Sequence, residues 1–297
     1  MRVLITQNAG ATDYWRFPWL RYRDQYALEM RPPVFGKALL QTNPDLKIQF
    51  VRPLAESLIP DVYYPLEDEP GISRRFASLR DPDAVLAFAN AYGLLGFEEV
   101  PRLQAYREEL DDNGERVGEW LMEAQQLRRL FEVWDLIQAG NKRELRRIIQ
   151  WSPHGVSAMF PEVTPGYVIA DGVRNADWID RWKRGDVFGP AKLFLLDQFN
   201  QNMGQMASPM LLLDAKGALR PYNSPASLLS ALWLEFGQVA SGVRKQLLCE
   251  SCGQWMDVTN NRRHKRKHAN CSLREKMARY RRKEKGLKKG EAPAASR

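Results

Sequence analysis

The sequence predicts an α+β fold: a predominantly α-helical body with short strands, followed by a small cysteine-containing ribbon and a basic helix at the C-terminus. Three observations lead to this class. Over much of the middle of the chain, apolar residues recur every three or four positions, which is the period of an amphipathic helix. Short stretches rich in β-branched residues are typical of strands. All three cysteines lie between positions 249 and 271, close to the C-terminus.

Residues 1–75 form an N-terminal part that is rich in aromatic residues and prolines. Its β-branched residues predict short strands at 3–6 and 47–51. Residues 60–71 carry three consecutive carboxylates between prolines, which is typical of an acidic surface loop. Six aromatic residues between the two strands are expected to pack in the core, with a binding surface as the alternative; they are Tyr14, Trp15, Phe17, Trp19, Tyr22 and Tyr26.

Residues 76–245 form the helical body, and its first half, residues 76–151, is expected to be helical throughout. Asp81 and Pro82 are a strong helix start, because a carboxylate caps the first N–H groups and proline suits the first turn. The apolar period predicts a long amphipathic helix over 118–139. Asn141 is placed to cap the helix that follows.

The second half of the body is less regular. Prolines and glycines over 152–208 argue against long elements, apart from a helix over 192–206. A hairpin is predicted near 210–221, and Ser224-Pro225 is expected to open a last helix that leads to the cysteines. The helix over 192–206 is expected to turn four side chains toward the core: Leu193, Leu196, Phe199 and Met203.

The charge of the chain is concentrated near its C-terminus. Residues 261–290 hold fourteen Lys and Arg against two Glu, a net charge of +12, whereas the whole chain carries +8 and the remainder therefore about −4. A basic patch on a mildly acidic body is typical of a nucleic-acid-binding end. A solvated segment that only aids solubility is the alternative.

The cysteines show the spacing of a metal site. Cys249 and Cys252 are separated by two residues, fifteen residues follow, and His268 and Cys271 are again separated by two. Two such pairs supply four soft or borderline ligands and leave no open position, which predicts a structural zinc ion in a zinc ribbon over residues 246–285. Three alternatives stay open: buried thiols without metal, a disulfide between Cys249 and Cys252, and His264 in place of His268.

The C-terminal part, about residues 210–285, resembles the CGNR zinc-finger family of bacterial stress-induced transcription regulators. The likeness lies in a helix leading into the first cysteine pair, in Trp255, in the Arg/Lys-rich loop, and in Cys271-Ser272 followed by a helix carrying residues 278–282. The Cys-Gly-Asn-Arg tetrapeptide is absent, and residues 273–276 read Leu-Arg-Glu-Lys instead. A cysteine after Cys271 is therefore missing, and either His268 supplies that ligand or the metal is lost.

These features together predict a nucleic-acid-binding protein, and the resemblance implies a DNA-binding transcription regulator. The loop over 262–267 and the following helix are expected to grip phosphates, with Arg262 or Arg263 reaching base edges. The alternative is an RNA- or ribosome-associated protein, or a protein-interaction module, in which Trp255 and Tyr280 stack on unpaired bases. The candidate contact residues are Arg262, Arg263, Lys265, Arg266, Lys267, Arg274, Arg279, Arg281, Arg282 and Lys283.

Other function classes find little support in the sequence. No run of 18 apolar residues occurs, so no membrane span is expected, and the start lacks a secretory signal, so we expect a cytoplasmic location. No phosphate loop, serine elbow or paired-histidine motif points to an enzyme. His154 as a general base is weighed against a plain surface histidine, and the carboxylates that could hold Mg²⁺ have no diagnostic spacing: Asp171, Asp177 and Asp180.

Two further predictions concern assembly and the end of the chain. The helical body is expected to bind a small effector, a partner protein or a second protomer. Residues 286–297 contain glycine, proline and three alanines with one large apolar residue, Leu287, and are expected to form a disordered tail.

Overall fold

The computed structural model describes residues 18–31, 48–54, 61–97, 114–204, 207–213, 219–259 and 266–290. Within them the fold is α+β, as predicted: a largely helical body, short strands in small antiparallel sheets, and a C-terminal module of one hairpin and one helix. No helix in these ranges is both long and apolar enough to cross a membrane. The predicted strand at 3–6 lies outside the described residues, as do Tyr14, Trp15 and Phe17.

Among the residues described up to position 97, short strands combine with three helices. Strand β1 pairs with β4, and β2 pairs with β3, which also pairs with a two-residue strand from further along the chain. The predicted strand at 47–51 is confirmed, and Tyr26 is buried as expected of a core residue. The elements are β1 Trp19–Arg21, β2 Tyr26–Arg31, β3 Ile48–Pro53, β4 Asp61–Tyr63, α1 Pro65–Asp68, α2 Ile72–Ala77 and α3 Pro82–Tyr92.

The remainder of the body is built around two long helices and a three-stranded meander. The strand order in the meander is β6-β7-β8. The next two strands, β9 and β10, form the predicted hairpin. The elements are β5 Glu115–Arg116, α4 Val117–Gln138, α5 Lys142–Ile148, β6 Ile149–Ser152, β7 Gly155–Phe160, β8 Val163–Asp171, α6 Ala176–Arg181, α7 Phe188–Met203, β9 Ala207–Leu213, β10 Leu219–Pro225 and α8 Leu228–Ala240.

Helix α4 is the centre of the body and packs against α2, α7 and α8. Of the predicted apolar face, Ala124, Leu127 and Phe131 are buried, whereas Leu121 and Trp134 are half-buried. Trp120, which the prediction did not include, is fully buried beside them. Helix α8 is buried on nearly all sides, because Leu, Trp and Phe surround its axis. These two helices therefore contribute a large share of the buried core.

The helix starts follow local chemistry. Asp81 accepts a hydrogen bond of 2.8 Å from the Ala84 N–H, and Asn141 accepts one from the Glu144 N–H at the start of α5, both as predicted. Helix α8 begins three residues later than expected. Ser224 and Pro225 belong to β10, and the cap is Ser227, which forms a reciprocal capping box with Ser230.

Two local predictions fail because tertiary packing overrides them. In place of the predicted surface loop over 60–71, residues 61–63 form β4 and residues 65–68 form α1. Tyr63 and Leu66 are buried there, and their burial outweighs the neighbouring carboxylates. Leu196, expected in the core, lies on the exposed side of α7, which starts four residues earlier than predicted and turns Leu193 and Met203 inward.

The meander β6–β8 is the largest difference from the sequence-based expectation. Residues 76–151 are not wholly helical, since β5 and the start of β6 fall within them, and residues 152–171 form two further strands. Ala158 pairs with Tyr167 and Phe160 with Val163, so three residues of β8 lie opposite Met159 on β7. This bulge on an outer strand is where proline and glycine are tolerated, and it contains Pro165 and Gly166.

The C-terminal module comprises β11 Gln246–Leu248, β12 Trp255–Asp257 and α9 Ala269–Gly290. Helix α9 has 22 residues, a length of about 33 Å. It extends to Gly290 rather than ending near 285, because Lys, Glu and Leu favour the helix and outweigh the single Gly286. The rest of the predicted tail, 291–297, lies outside the described residues.

Candidate metal centre

The first pair of candidate ligands lies in the turn between β11 and β12. The two strands are antiparallel, with Leu248 opposite Trp255. The Cys249 N–H donates to the Gln254 carbonyl and the Gly253 N–H donates to the Cys249 carbonyl, each at 2.9 Å. Gly253 takes a left-handed conformation with φ of 68°, which glycine adopts without strain. This tight turn brings the thiols of Cys249 and Cys252 to the same side.

The second pair lies at the start of α9. The His268 carbonyl accepts a hydrogen bond of 2.9 Å from the Ser272 N–H, so His268 precedes the first helical turn and Cys271 lies within it. Two contacts hold the residues before α9 in place. The Glu250 N–H donates to the Arg266 carbonyl at 3.0 Å, and the Lys267 ammonium lies 2.8 Å from both oxygens of Glu275. The second half of the module is therefore a helix start, not a second β-turn as in a two-hairpin ribbon.

The hairpin turn and the helix start bring the four predicted ligands together. The sulfur atoms of Cys249, Cys252 and Cys271 and a ring nitrogen of His268 all lie within 4.8 Å of one another. Cys252 Sγ is 3.4 Å from His268 Nδ1. A tetrahedral ion with bonds of about 2.3 Å to sulfur and about 2.0 Å to nitrogen separates its ligands by about 3.5 to 3.8 Å. The cluster therefore fits a metal ion with small shifts of the side chains.

The orientation of His268 identifies which nitrogen faces the cluster. Its Nε2 lies 3.3 Å from the Trp255 carbonyl oxygen, which can only accept, so Nε2 carries the proton and donates. Nδ1 then holds the lone pair and points toward Cys252. A second hydrogen bond that fixes the tautomer of a ligating histidine is a recurrent feature of metal sites.

The pKa values of two of the thiols differ from that of a free cysteine. Burial opposes ionisation of Cys249, but backbone N–H groups of His268, Cys252 and Ser251 stabilise its thiolate and lower its pKa to about 6. A hydrogen bond with Cys252, together with burial, raises the pKa of Cys271 to about 11. All three cysteines are free thiols, so the alternative of a disulfide between Cys249 and Cys252 is not observed. Three thiolates share this space readily only when a positive ion lies between them.

The arginines and lysines predicted to contact nucleic acid fall into three groups. Arg274, Arg279 and Arg281 are exposed on α9, while the side chains of Arg282 and Lys283 on the same helix are not described. Arg266 is exposed and lies 3.3 Å from Glu250, whereas Lys267 is held by Glu275 and serves the structure of the module. Arg262, Arg263 and Lys265 lie outside the described residues, as does His264.

Trp255 attaches the module to the body. The Arg74 guanidinium lies between the rings of Phe131 and Trp255, 4.2 Å from each centroid, and forms two hydrogen bonds of 2.8 and 2.6 Å with Asp135. A Cβ at Gly71 would also overlap the Cβ and Cγ atoms of Trp255. The indole that was a candidate for stacking on bases is thus packed against Arg74 and Gly71, at the start of α2.

A network of hydrogen bonds around a buried carboxylate also joins the C-terminal module to the body. Glu235 on α8 has no exposed surface and accepts from the Gly71 and Ser73 N–H groups at 2.8 Å and from the Ser73 hydroxyl at 2.6 Å. Gln246 on β11 donates to it at 2.7 Å, and the Arg244 guanidinium lies 3.3 Å away.

Arg244 extends this network across the hairpin. Its Nε lies 2.7 Å from Asp257 on β12, and it also donates to the Leu66 carbonyl. Neither Arg244 nor Glu235 was predicted from the sequence to have a role. The signal for Glu235 was a single carboxylate within the apolar run of α8, which predicts burial with a partner.

The candidate catalytic residues do not gather into a site. His154 is exposed in the turn between β6 and β7. Asp171 accepts hydrogen bonds from the Arg174 and Val173 N–H groups, which lower its pKa, and so stabilises a turn. Within the described ranges, the Cys and His cluster is the one group of three or more potential ligands in metal-binding proximity, and Asp177 and Asp180 are not part of such a group.

Comparison with protein-family models, with curated proteins and with solved structures found no match. The resemblance to the CGNR zinc-finger family therefore stays an inference from the residues quoted above.

The choice between the two histidines is testable by metal analysis of single variants. We expect His268→Ala to lose most of the bound metal, since its Nδ1 faces the thiols, and His264→Ala to retain it. Metal content per chain after dialysis, measured by mass spectrometry, checks this. The opposite pattern would show that His264 is the fourth ligand.

Proposed function

We propose that this chain is a cytoplasmic, zinc-dependent nucleic-acid-binding protein, and that it acts as a DNA-binding transcription regulator. The observation that supports it most is the concentration of positive charge, +12 over residues 261–290, on the segment that the Cys and His cluster holds. A flexible basic tail would give only diffuse attraction. A clamped helix presents its cations in a fixed arrangement toward phosphates.

Zinc is the ion that we infer for the cluster. Three thiolates and one imidazole nitrogen are soft and borderline ligands, and four protein ligands close a tetrahedral site. The ion would be structural. Among its described residues the module has few buried apolar side chains, one of which is Met256, and so short a segment gains much of its folding free energy from its metal. Thiols in the cytoplasm stay reduced and available as ligands.

Duplex DNA is favoured over unpaired RNA by the environment of the two aromatic residues. Base stacking needs an exposed ring face. The Trp255 ring is covered by Arg74 and backed by Gly71, whereas Tyr280 is exposed on α9. A surface that offers exposed arginines along one helix suits the phosphates of a duplex better than a series of stacked bases.

The salt dependence of binding tests this proposal. For the zinc-loaded chain and a mixed-sequence DNA duplex, the logarithm of affinity should fall linearly with the logarithm of salt concentration. Replacing both Arg279 and Arg281 by alanine should lower the magnitude of the slope by about two, because each phosphate contact releases about one counterion. Fluorescence anisotropy over about 50 to 300 mM salt measures it.

A matched control is available on the body. Arg143 and Arg146 are exposed on α5, so replacing both by alanine removes the same charge without touching the module, and the slope should stay at the wild-type value. If the two double variants behave alike, net charge alone governs binding and the proposal fails. If single-stranded RNA competes better than the duplex, the RNA alternative is correct.

A further inference from the structure

The outer face of α9 carries an apolar stripe that phosphate binding does not require. Leu273, Met277 and Tyr280 are 59%, 49% and 66% exposed. At about 100° per residue they fall within about 60° of the helix circumference. Phosphates offer no apolar surface to such a stripe. Its presence on a strongly basic helix therefore points to an additional contact.

The spacing of the stripe is that of a helix–helix seam. Steps of four and three residues separate Leu273, Met277 and Tyr280, as d, a and d positions of a heptad, and the same register reaches Leu287 in the sequence, with Glu284 at the intervening a position. Leu273, Met277 and Tyr280 fill three consecutive steps with apolar side chains, and Glu284 ends this run. The stripe thus fits one side of a two-helix contact.

The flanks of the stripe determine which partner it fits. The e positions are Arg274 and Arg281 and the g positions are Lys276 and Lys283. In two copies of α9, parallel or antiparallel, these residues would place cation against cation, which opposes pairing. A partner helix with apolar a and d residues and Glu or Asp at e and g would instead be complementary along both edges.

We propose that α9 is also a docking site for an acidic amphipathic helix of another protein, which packs on Leu273, Met277 and Tyr280. The acidic flanks of this partner pair with the arginines and lysines that border the stripe, and the proposed phosphate contacts draw on the same cations. Occupancy by the partner and by nucleic acid is therefore mutually exclusive, and the partner acts as a regulator of nucleic-acid binding.

The test uses the full-length, metal-loaded chain and a synthetic peptide of three heptads, with Leu at a and d and Glu at e and g. A peptide of the same composition in scrambled order is the control. Because glutamates repel one another along its edges, the heptad peptide should not pair with itself. It should bind at least about tenfold more tightly than the scrambled peptide, since the apolar seam forms only with correct spacing.

Matched variants separate the stripe from the charges. Replacing Leu273 and Met277 by serine leaves the net charge unchanged and should abolish the preference for the heptad peptide, while metal content and affinity for a DNA duplex stay within about twofold of wild type. The heptad peptide should also displace a bound duplex. These results would support the docking site, and duplex binding by the variant would show that the proposed function stands apart from it.

Three outcomes would overturn the proposal. Equal binding of the two peptides would mean that only charge is recognised. Loss of duplex affinity in the serine variant at full metal content would mean that the stripe contacts nucleic acid. Dimers of the wild-type chain that the serine variant cannot form, seen by analytical ultracentrifugation, would assign the stripe to a second copy.

Discussion

Replacing Cys252 by serine should release the metal and unfold the C-terminal module while the helical body stays folded. The hydroxyl is a poor ligand for zinc, and three remaining ligands leave the site open. Because metal binding and folding of such a module are coupled, the hairpin and the start of α9 should lose order together. Metal content should fall from about one ion per chain to near zero, and amide exchange should quicken over residues 246–281.

The control for this variant stays within the same segment. Asn270 lies between the second pair of ligands and is exposed, so Asn270→Ser adds a serine without removing a ligand and should keep its metal. Helices α4 and α8 should keep their amide protection in both variants, because their buried apolar side chains pack within the body, even though Glu235 loses its contact with Gln246 of the hairpin. A Cys252→Ser protein that retains stoichiometric metal would contradict this account of the centre.

Replacing Arg244 by methionine should destabilise the fold by about 3 kcal/mol or more. The change leaves Glu235 without its cation in a fully buried position, and removing one partner of a buried ion pair has a large effect because the other charge stays desolvated. The four remaining donors to Glu235 limit the loss. The free energy of unfolding from chemical denaturation measures it.

Two further variants show whether charge is the cause. Arg147→Met removes an exposed cation paired with Glu144, and should change stability by less than about 1 kcal/mol. Adding Glu235→Gln to Arg244→Met should recover part of the loss, because the buried charge is then gone. No recovery would mean that packing of the arginine stem, rather than its charge, stabilises the junction.

The metal cluster was predictable because its information is local. Each pair of ligands, Cys249 with Cys252 and His268 with Cys271, is separated by two residues. This short spacer is enough to direct both side chains of a pair toward one ion, whatever the rest of the fold does. The same holds for α3 and α4, whose capping residue Asp81 and apolar period act within a few residues. Each of these features depends on neighbours along the chain, which the sequence displays directly.

The meander and the buried junction were less predictable because they depend on distant residues. Pro165 and Gly166 indicate a break when considered alone, but opposite Met159 they form a bulge in an outer strand. Nothing near Arg244 along the chain shows that it meets the Leu66 carbonyl or the carboxylate of Glu235. Arg74 becomes the link between body and module only when Phe131 and Trp255 lie on its two faces.

The junction bears on how the proposed regulator would work. Glu235, Arg244 and Gln246 join α8 to the hairpin through buried contacts, so the module is oriented with respect to the body. An effector or second protomer on the body would then be able to alter the position of α9. This extends the proposed function and can be examined once a ligand of the body is found.

The central claim is that a metal-held module binds nucleic acid through its basic helix. The most direct measurement is the affinity of the full-length chain for a mixed-sequence DNA duplex before metal removal, after chelation, and after addition of zinc. We predict salt-dependent binding by the loaded protein, a loss of at least about tenfold on chelation, and recovery with zinc. Affinity that is the same in all three states would contradict the claim.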